Sequence, residues 1–353
     1  MDYKPLIIDA LEVIRKKEMI DKQPFRARAY ATVIKQLTQL EHPVHTMEDL
    51  YYIKGMGEKI TEKVKEILST GQLQSAERIK TTHSVDAFET LQHIYGVGPA
   101  KVRELLQHGI QSVEQLRMAV KKNPLLLNNK QKVGLQYYED LVQRIPREEM
   151  EIHRASLPHW LPEEMKAWET EIVGSFRRGA ITSGDIDVLI RVPPNISSTT
   201  AKKLLAAYVE QMKQAGYIEE VLALGEHKCM AICRLEGPLG LKGPSGLKAR
   251  RLDLLLTSDE EYAYALLYFT GSDQFNVAFR NHALAMCYTL NEHRLAPLTA
   301  DKPSPPPMKK EDDIFRFLGL RYIPPNQRVN KDQILKRTKP QVGNAYMLQT
   351  CKE

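Results

Sequence analysis

Apolar and polar positions alternate along this chain with two different periods, and the change of period falls near its middle. Up to about residue 150 the spacing is helical: LIIDALEVIRKKE and FRARAYATVIKQL each carry apolar residues every third or fourth position, the second with basic residues interleaved. The stretch YYIKGMGEKITEKVKEILSTGQL reads as a helix, a tight Gly55-Met56-Gly57 turn, and a second helix that Gly71 ends. LQHIYGVGPAKVRELLQHGI repeats the unit around Gly96-Val97-Gly98, an internal repeat of supersecondary size. More helix follows over 111–150, and Pro146 restricts Ile145 to extended geometry, which marks a boundary.

Beyond that boundary strands appear. EIVGSFRRGAITSGDIDVLIR is a short apolar run, a turn through Gly174-Ser175, and a second run bearing Asp185 and Asp187. A surface loop, VPPNISSTTAKK, leads to a helix and then to the strands of YIEEVLALGEHKCMAICRL. Residues 237–246 form a Gly-Pro turn without core content, and KARRLDLLLT is a strand interrupted by Asp253. EEYAYALLYFTGSDQFNVAFRNHALAMC is a helix pair broken at Thr270-Gly271, with Ser272 or Asp273 capping the second helix. Residues 326–353 are a basic, polar tail.

Length permits two or three domains among the 353 residues. A net charge of +6 allows a polyanionic partner without requiring one. Cys229, Cys233, Cys287 and Cys351 lack zinc spacing and read as thiols in a reducing compartment. No apolar run reaches membrane-spanning length, and the N-terminus has no signal-like or transit-like composition.

Several residues carry candidate chemistry. Side chains two apart on a strand share a face, so Asp185 and Asp187 project together, while Ile186 and Val188 face a core. Adjacent carboxylates repel unless a cation separates them, and a divalent metal is the usual one. The same D-x-D is also how a plain polar strand end reads. Gly174-Ser175 before a helical turn leaves backbone N–H groups open to phosphate, with Arg178 one turn on. Asp253, amid apolar neighbours, needs a partner; a hydrogen-bonded core carboxylate is the plain reading, and Arg251 shares its strand face. Lys59 and Lys63, four apart on one helix face, are a solvated basic face or, since a lysine among cations loses proton affinity, an amine nucleophile for a Schiff base. Glycines in both hairpins let backbone N–H groups approach a DNA phosphate, with basic residues such as Lys101 alongside.

Taken together, GSFRRG…SGDIDVL resembles family X of the DNA polymerases, closest to the beta type, over about residues 1–325. The resemblance implies that Asp185, Asp187 and Asp253 bind two Mg²⁺ ions, for which Mn²⁺ can substitute. It implies that Gly174, Ser175, Arg178, Ser183 and Gly184 cradle triphosphate, with Arg144 reaching toward the site. YFTGSDQFNVAFR is similar to the family's nucleotide-binding end. Tyr268 and Phe269 would then abut the sugar, with Gly271 allowing the bend after them. Asp273 would lie near the base, Asn276 at its minor-groove edge and Arg280 at the template. GMGEKITEKVKEIL is similar to the family's 5′-deoxyribose-phosphate lyase domain, with Lys63 at the Schiff-base position and Lys59 at a 5′-phosphate ligand. Two family phosphate lysines are replaced by Tyr51 and Gln72, which implies either a weakened lyase activity or compensation by Lys22, Arg26 and Arg28. Backbone at Ile53 and Met56, and at Ile94 and Val97, would take Na⁺ or K⁺ at the hairpins, and Arg251 would touch DNA.

The expectation is an α+β multidomain polymerase. It comprises a helical lyase domain over 1–83, a second helix-hairpin-helix subdomain over 84–146, a catalytic palm over 147–257, a nucleotide-selection subdomain over 258–325 and the tail. It would be a monomer acting on gapped or nicked double-stranded DNA and deoxynucleoside triphosphates in base excision repair. Repair partners such as a DNA ligase, no membrane, and an intracellular site, nuclear in a eukaryote or the virion or replication site for a large DNA virus, go with that reading. The elements before the palm leave no room for a BRCT domain, which favours the beta type over lambda. A terminal transferase, which needs a longer palm loop than 237–246, and a non-catalytic DNA-binding protein, which needs none of the three acids, are the alternatives.

Overall fold

A computed structural model describes residues 1–82, 85–235, 247–329 and 333. The Gly-Pro turn at 237–246 and most of the tail therefore lie outside the described residues. The chain forms two compact units that divide between Tyr138 and Glu139.

The first unit is all helix: α1 (Lys4–Ile20), α2 (Pro24–Thr38), α3 (Glu58–Thr70), α4 (Gln74–Thr82), α5 (Val85–Gln92), α6 (Pro99–Gln107), α7 (Val113–Lys122) and α8 (Asn129–Gln136). Apolar residues three and four apart do the packing. Ile7, Leu11 and Ile14 of α1 meet Val33 and Leu37 of α2 and Ile60, Val64 and Ile67 of α3 in one core. Phe88, Leu91, Val102, Leu105, Leu116 and Leu135 build a second. Each hairpin turns at a glycine with positive φ, Gly55 at 85° and Gly96 at 79°, and then Gly57 or Gly98 caps the next helix in extended conformation. Gly71, left-handed at φ 78°, ends α3 as expected. A Cβ on Gly134 of α8 would stand 2.2 Å from the Tyr95 carbonyl oxygen. Only glycine therefore lets α8 lie against the second hairpin, where Gln131 Nε2 donates to the Gly96 carbonyl at 3.1 Å.

After the short α9 (Tyr138–Leu141), the second unit runs β1 (Ile145–Pro146), α10 (Arg147–Ser156), β2 (Thr170–Ile172), α11 (Gly174–Arg177), β3 (Thr182–Ser183), β4 (Ile186–Val192) and α12 (Ser198–Gln214). Then come β5 (Ile218–Leu224), β6 (Lys228–Cys233), β7 (Arg250–Ser258), α13 (Tyr262–Thr270), α14 (Asp273–Ala285), β8 (Tyr288–Leu290), β9 (Leu295–Pro297) and α15 (Glu311–Phe317). Ile145 and Pro146, read as a domain boundary, pair with Ser183 and Thr182 of this same unit.

Five strands form one sheet in the order β2-β4-β7-β6-β5, with β4 and β7 parallel at its centre and the other pairs antiparallel. One face is dry along its length: Ile186, Val188 and Ile190 of β4, Leu252, Leu254 and Leu256 of β7, and Leu205, Tyr208 and Met212 of α12 share the main core. On the opposite face only part is covered, where Leu189 and Leu255 meet Tyr262 and Ala265 of α13. One step back along β4 and β7 that same face carries Asp187 and Asp253. Beyond the sheet, Phe275, Phe279, Ile314 and Phe315 pack α14 against α15. There the buried Glu311 accepts from Arg328 Nη1 at 2.5 Å and from Arg177 Nη2 at 3.0 Å.

Among the described residues no helix is long and apolar enough to cross a membrane. Cys229 and Cys233 are free and buried, as expected, but Cys287 is disulfide-bonded, against the expectation of a thiol. Four scattered cysteines carry no spacing from which a pairing can be read.

Candidate active site

Asp187 and Asp253 are register partners on the parallel strands β4 and β7, and Asp185 precedes β4 on the same side. Burial first, and then the charges of Asp185 and Asp253, push the Asp187 carboxyl up to about 7. Asp253 is 4 % exposed. Its Oδ2 meets Lys228 Nζ at 2.8 Å, and its buried Oδ1 has no hydrogen-bond partner. Arg251 Nη2 lies 2.8 Å from Asp185 Oδ2 and 3.7 Å from Asp253 Oδ2. The arginine expected to partner Asp253 is therefore closer to Asp185.

Among the described residues no group of three or more His, Cys, Asp or Glu side chains is arranged to hold a metal ion; two cations stand against the acids instead. The donors nevertheless suit a hard divalent cation. They are all carboxylate oxygens, one is buried and unpaired, and the Asp187 carboxyl is raised by burial and then by its two acidic neighbours, which a bound cation would offset. Lys228 was not anticipated from sequence. Its signal lies in HKCMAIC, where alternation sets Lys228 and Met230 on the face opposite the buried Cys229 and Ala231.

The loop before β4 is tied to the acids. Val173 N–H donates to the Asp187 carbonyl at 2.9 Å. Gly174 adopts φ 63°, and a Cβ there would stand 3.2 Å from Asp187 Oδ2, so a side chain is strained by backbone and by space alike. Ser175 Oγ donates to Ser183 Oγ at 3.1 Å, and Arg144 binds Thr182 Oγ1 and O at 2.8 Å, beside Gly184. One expectation changes here. The helix opened by Gly174 is only four residues long, so its dipole adds little and anion affinity would rest on loop amides. Arg178, expected one turn on from the phosphate loop, donates through Nη1 to the Thr270 carbonyl at 2.5 Å, and that nitrogen lies 3.2 Å from where a Cβ on Gly271 would be.

At the helix break, Ser272 is the cap of α14, accepting from Phe275 N–H, while Asp273 is exposed. Tyr268 and Phe269 meet edge to face, 5.1 Å apart. Phe269 also packs on the small core under α13. Asn276 Nδ2 donates to the Tyr268 carbonyl at 2.7 Å, and the Arg280 guanidinium lies 4.9 Å from the Tyr268 ring centre. Tyr268, Asn276 and Arg280 line one small cavity together with Asn291.

In the first unit Lys63 is half-buried and Lys59 exposed on α3, and neither makes an ion pair among the described residues. Gln36 of α2 clasps the first hairpin through Lys54 N–H and O at 2.9 and 2.7 Å. Lys22, Arg26 and Arg28 are exposed at the start of that helix. Lys101 pairs with Glu104 at 2.6 Å. Ile94 and Val97 are buried core residues, and Ile53 and Met56 half-buried ones. The Ile94 carbonyl already accepts from Val97 N–H at 3.0 Å, and Met56 O from Thr61 Oγ1 at 3.3 Å, which leaves these oxygens partly committed.

Four family models match in succession. They are a helix-hairpin-helix domain over residues 2–73, the fingers domain of DNA polymerase lambda over 89–142, and the DNA polymerase beta palm over 144–259 and thumb over 265–329. DNA polymerase lambda of Rattus norvegicus is 31% identical over 346 residues, covering 93% of this chain and 56% of that protein. DNA polymerase lambda of Arabidopsis thaliana is 27% identical over 313 residues, covering 86% and 58%. The chain thus spans less than two thirds of the length of either relative.

Proposed function

The chain belongs to family X of the DNA polymerases, close to its beta and lambda members, and we propose that it is a DNA-directed DNA polymerase filling short gaps in base excision repair, with an associated 5′-deoxyribose-phosphate lyase activity. The observation that carries the polymerase reading is the acid cluster. Asp187 and Asp253 are in register on the uncovered part of a sheet face, and the Gly174 loop abuts Asp187.

Asp185, Asp187 and Asp253 would hold two divalent cations, Mg²⁺ or Mn²⁺. Bound there, the cations supply Lewis-acid activation of a primer 3′-hydroxyl and neutralise charge on the leaving pyrophosphate. The protein's own groups do the rest. The strands β4 and β7 hold the carboxylates rigidly, since their other face is core. Loop amides around Gly174 and Ser175 bind triphosphate oxygens, and Arg144 adds charge from beside Ser183 and Gly184. Asp253, the most buried acid, accepts the hydroxyl proton. Tyr268 and Phe269, ahead of the Gly271 bend, exclude a ribose 2′-hydroxyl. Lys63 supplies the amine for a Schiff base with the abasic sugar. The two hairpins take gapped or nicked DNA by its backbone, with Na⁺ or K⁺ at their carbonyls.

A one-nucleotide gap carrying a 5′-deoxyribose phosphate tests both activities at once. The expected result is templated addition of one deoxynucleotide together with a borohydride-trapped adduct. Extension of a single-stranded primer without template would overturn the gap-filling reading.

A further inference from the structure

Tyr51 and Tyr52 stand immediately before the first hairpin, and nothing in the chemistry above uses them. The turn that carries them is pinned at both ends. Leu50 is 3% exposed and Ile53 packs on the same core, while Tyr51 N–H donates to Glu48 O at 3.1 Å and Ile53 N–H to Leu50 O at 3.0 Å. The two rings between these anchors have nowhere to go but outward. They are 82% and 84% exposed, with centroids 5.3 Å apart and planes at 89°. At that exposure both rings keep open faces, and adjoining exposed aromatics mark a contact surface more often than an accident of sequence.

What lies beside them decides the kind of contact. Lys54 follows directly, then the Gly55 turn with the exposed Gly57, then Lys59 and Lys63 on α3. Of the acids on the approach, Asp49 is spent on the backbone N–H groups of His45 and Thr46, both at 2.8 Å, which leaves Glu48, Glu58 and Glu62 among three lysines, so that the hairpin's backbone amides and the lysines nearest the rings are what a phosphate would meet. A site for phosphate next to open aromatic faces fits an unpaired nucleotide: the backbone goes to amides and lysines, and the base stacks on a ring. A base inside a duplex has both faces covered by its neighbours and cannot use the rings.

We propose that Tyr51 and Tyr52 form a stacking platform for an unpaired nucleobase of gapped DNA, adjoining the phosphate grip of the first hairpin. This rests on the DNA-binding reading above.

The test measures binding of the whole chain to two labelled duplexes of equal length, one nicked and one with a two-nucleotide gap. The gap contains 2-aminopurine, whose emission falls on stacking. Wild type should bind the gapped duplex more tightly and quench the probe. Tyr51→Ala with Tyr52→Ala should weaken gapped binding by roughly five- to thirtyfold and abolish quenching, with nicked binding unchanged. Replacing both by Phe should preserve both readouts, whereas replacing both by Leu should not. Equal effects on both duplexes, no effect on either, or full rescue by Leu would overturn the proposal; the last would assign the patch to an apolar protein contact. If wild type binds neither duplex in a salt-dependent way, it is the DNA-binding reading that fails. If it binds both and the alanine variant keeps its preference for the gap, only the platform fails.

Discussion

Lys228 Nζ lies 2.8 Å from Asp253 Oδ2, reaching diagonally across from β6 to the carboxylate that faces Asp187. The lysine side chain is 43% exposed and the aspartate side chain 6%, so the pair joins a partly solvated cation to a desolvated anion. In this arrangement the lysine, with Arg251, supplies positive charge to the acids. A divalent ion arriving at Asp253 must compete with it.

Replacing Lys228 by Met should therefore destabilise the metal-free protein by about 1–2 kcal/mol, because Asp253 keeps only the more distant Arg251. Added Mg²⁺ should then raise the melting temperature more in the variant than in wild type, since no ammonium has to be displaced. Thermal unfolding in EDTA and in Mg²⁺ measures both; equal Mg²⁺ responses would show that Lys228 does not compete.

Asp185→Ala, Asp187→Ala and Asp253→Ala should each lower nucleotide addition to below about one thousandth of the starting rate. DNA binding should survive, because the hairpins that make it are elsewhere in the chain. Near-normal turnover in any of the three would remove that residue from the catalytic set.

Lys63→Ala should lose most of the borohydride-trapped adduct on an incised abasic site and keep polymerisation. Lys63 sits on α3 of the first unit, whereas the acids belong to the second. Undiminished trapping would identify another amine, Lys59 or the N-terminus, as the nucleophile.

The two aromatics at the helix break should behave differently. Tyr268→Ala frees Arg280 from its ring and should raise ribonucleotide use relative to deoxynucleotide use on the same gap. Phe269→Ala should also cost about 1–3 kcal/mol of stability, because Phe269 packs against the core that covers Leu189 and Leu255. An unchanged sugar ratio in both variants would mean packing and no gate.

Acid should weaken the fold in two stages. His153 is fully buried, with Nδ1 2.7 Å from Tyr217 Oη, and burial pulls its imidazole below 6.5. The unfolded chain then binds the extra proton, so stability declines as pH falls through the 6.5 of a free histidine. Burial would raise the neighbouring Glu149, but His153 and Arg250 outweigh it and draw the carboxyl down to about 2. Arg250 grips the carboxylate with two prongs at 2.6 and 2.8 Å. That contribution is complete above 4.5 and is lost toward pH 2. Urea midpoints against pH should show both declines, and His153→Gln should erase the upper one; parallel curves for the two proteins would refute it.

Local pattern determined a good deal of this protein. Helical spacing placed Ile60, Val64 and Ile67 on one buried stripe, and glycines with positive φ made both hairpins and the stop at Gly71. Strand alternation put Ile186 and Val188 in the core with Asp187 on the other side. Each of these follows from the geometry of a few consecutive residues.

Tertiary structure decided what stands opposite what. Arg251 and Asp185, 2.8 Å apart, lie 66 positions apart in the chain, and Arg177 reaches Glu311 across 134. Arg178, in the same GSFRRG, donates to the Thr270 carbonyl 92 positions along the chain. Lys228 gave no local sign of its partner, because the strand order that puts β6 beside β7 is set by how the whole sheet buries its dry face. A side chain's face is set by the dihedrals of its own strand. Its partner is set by long-range packing, which one stretch of sequence does not encode.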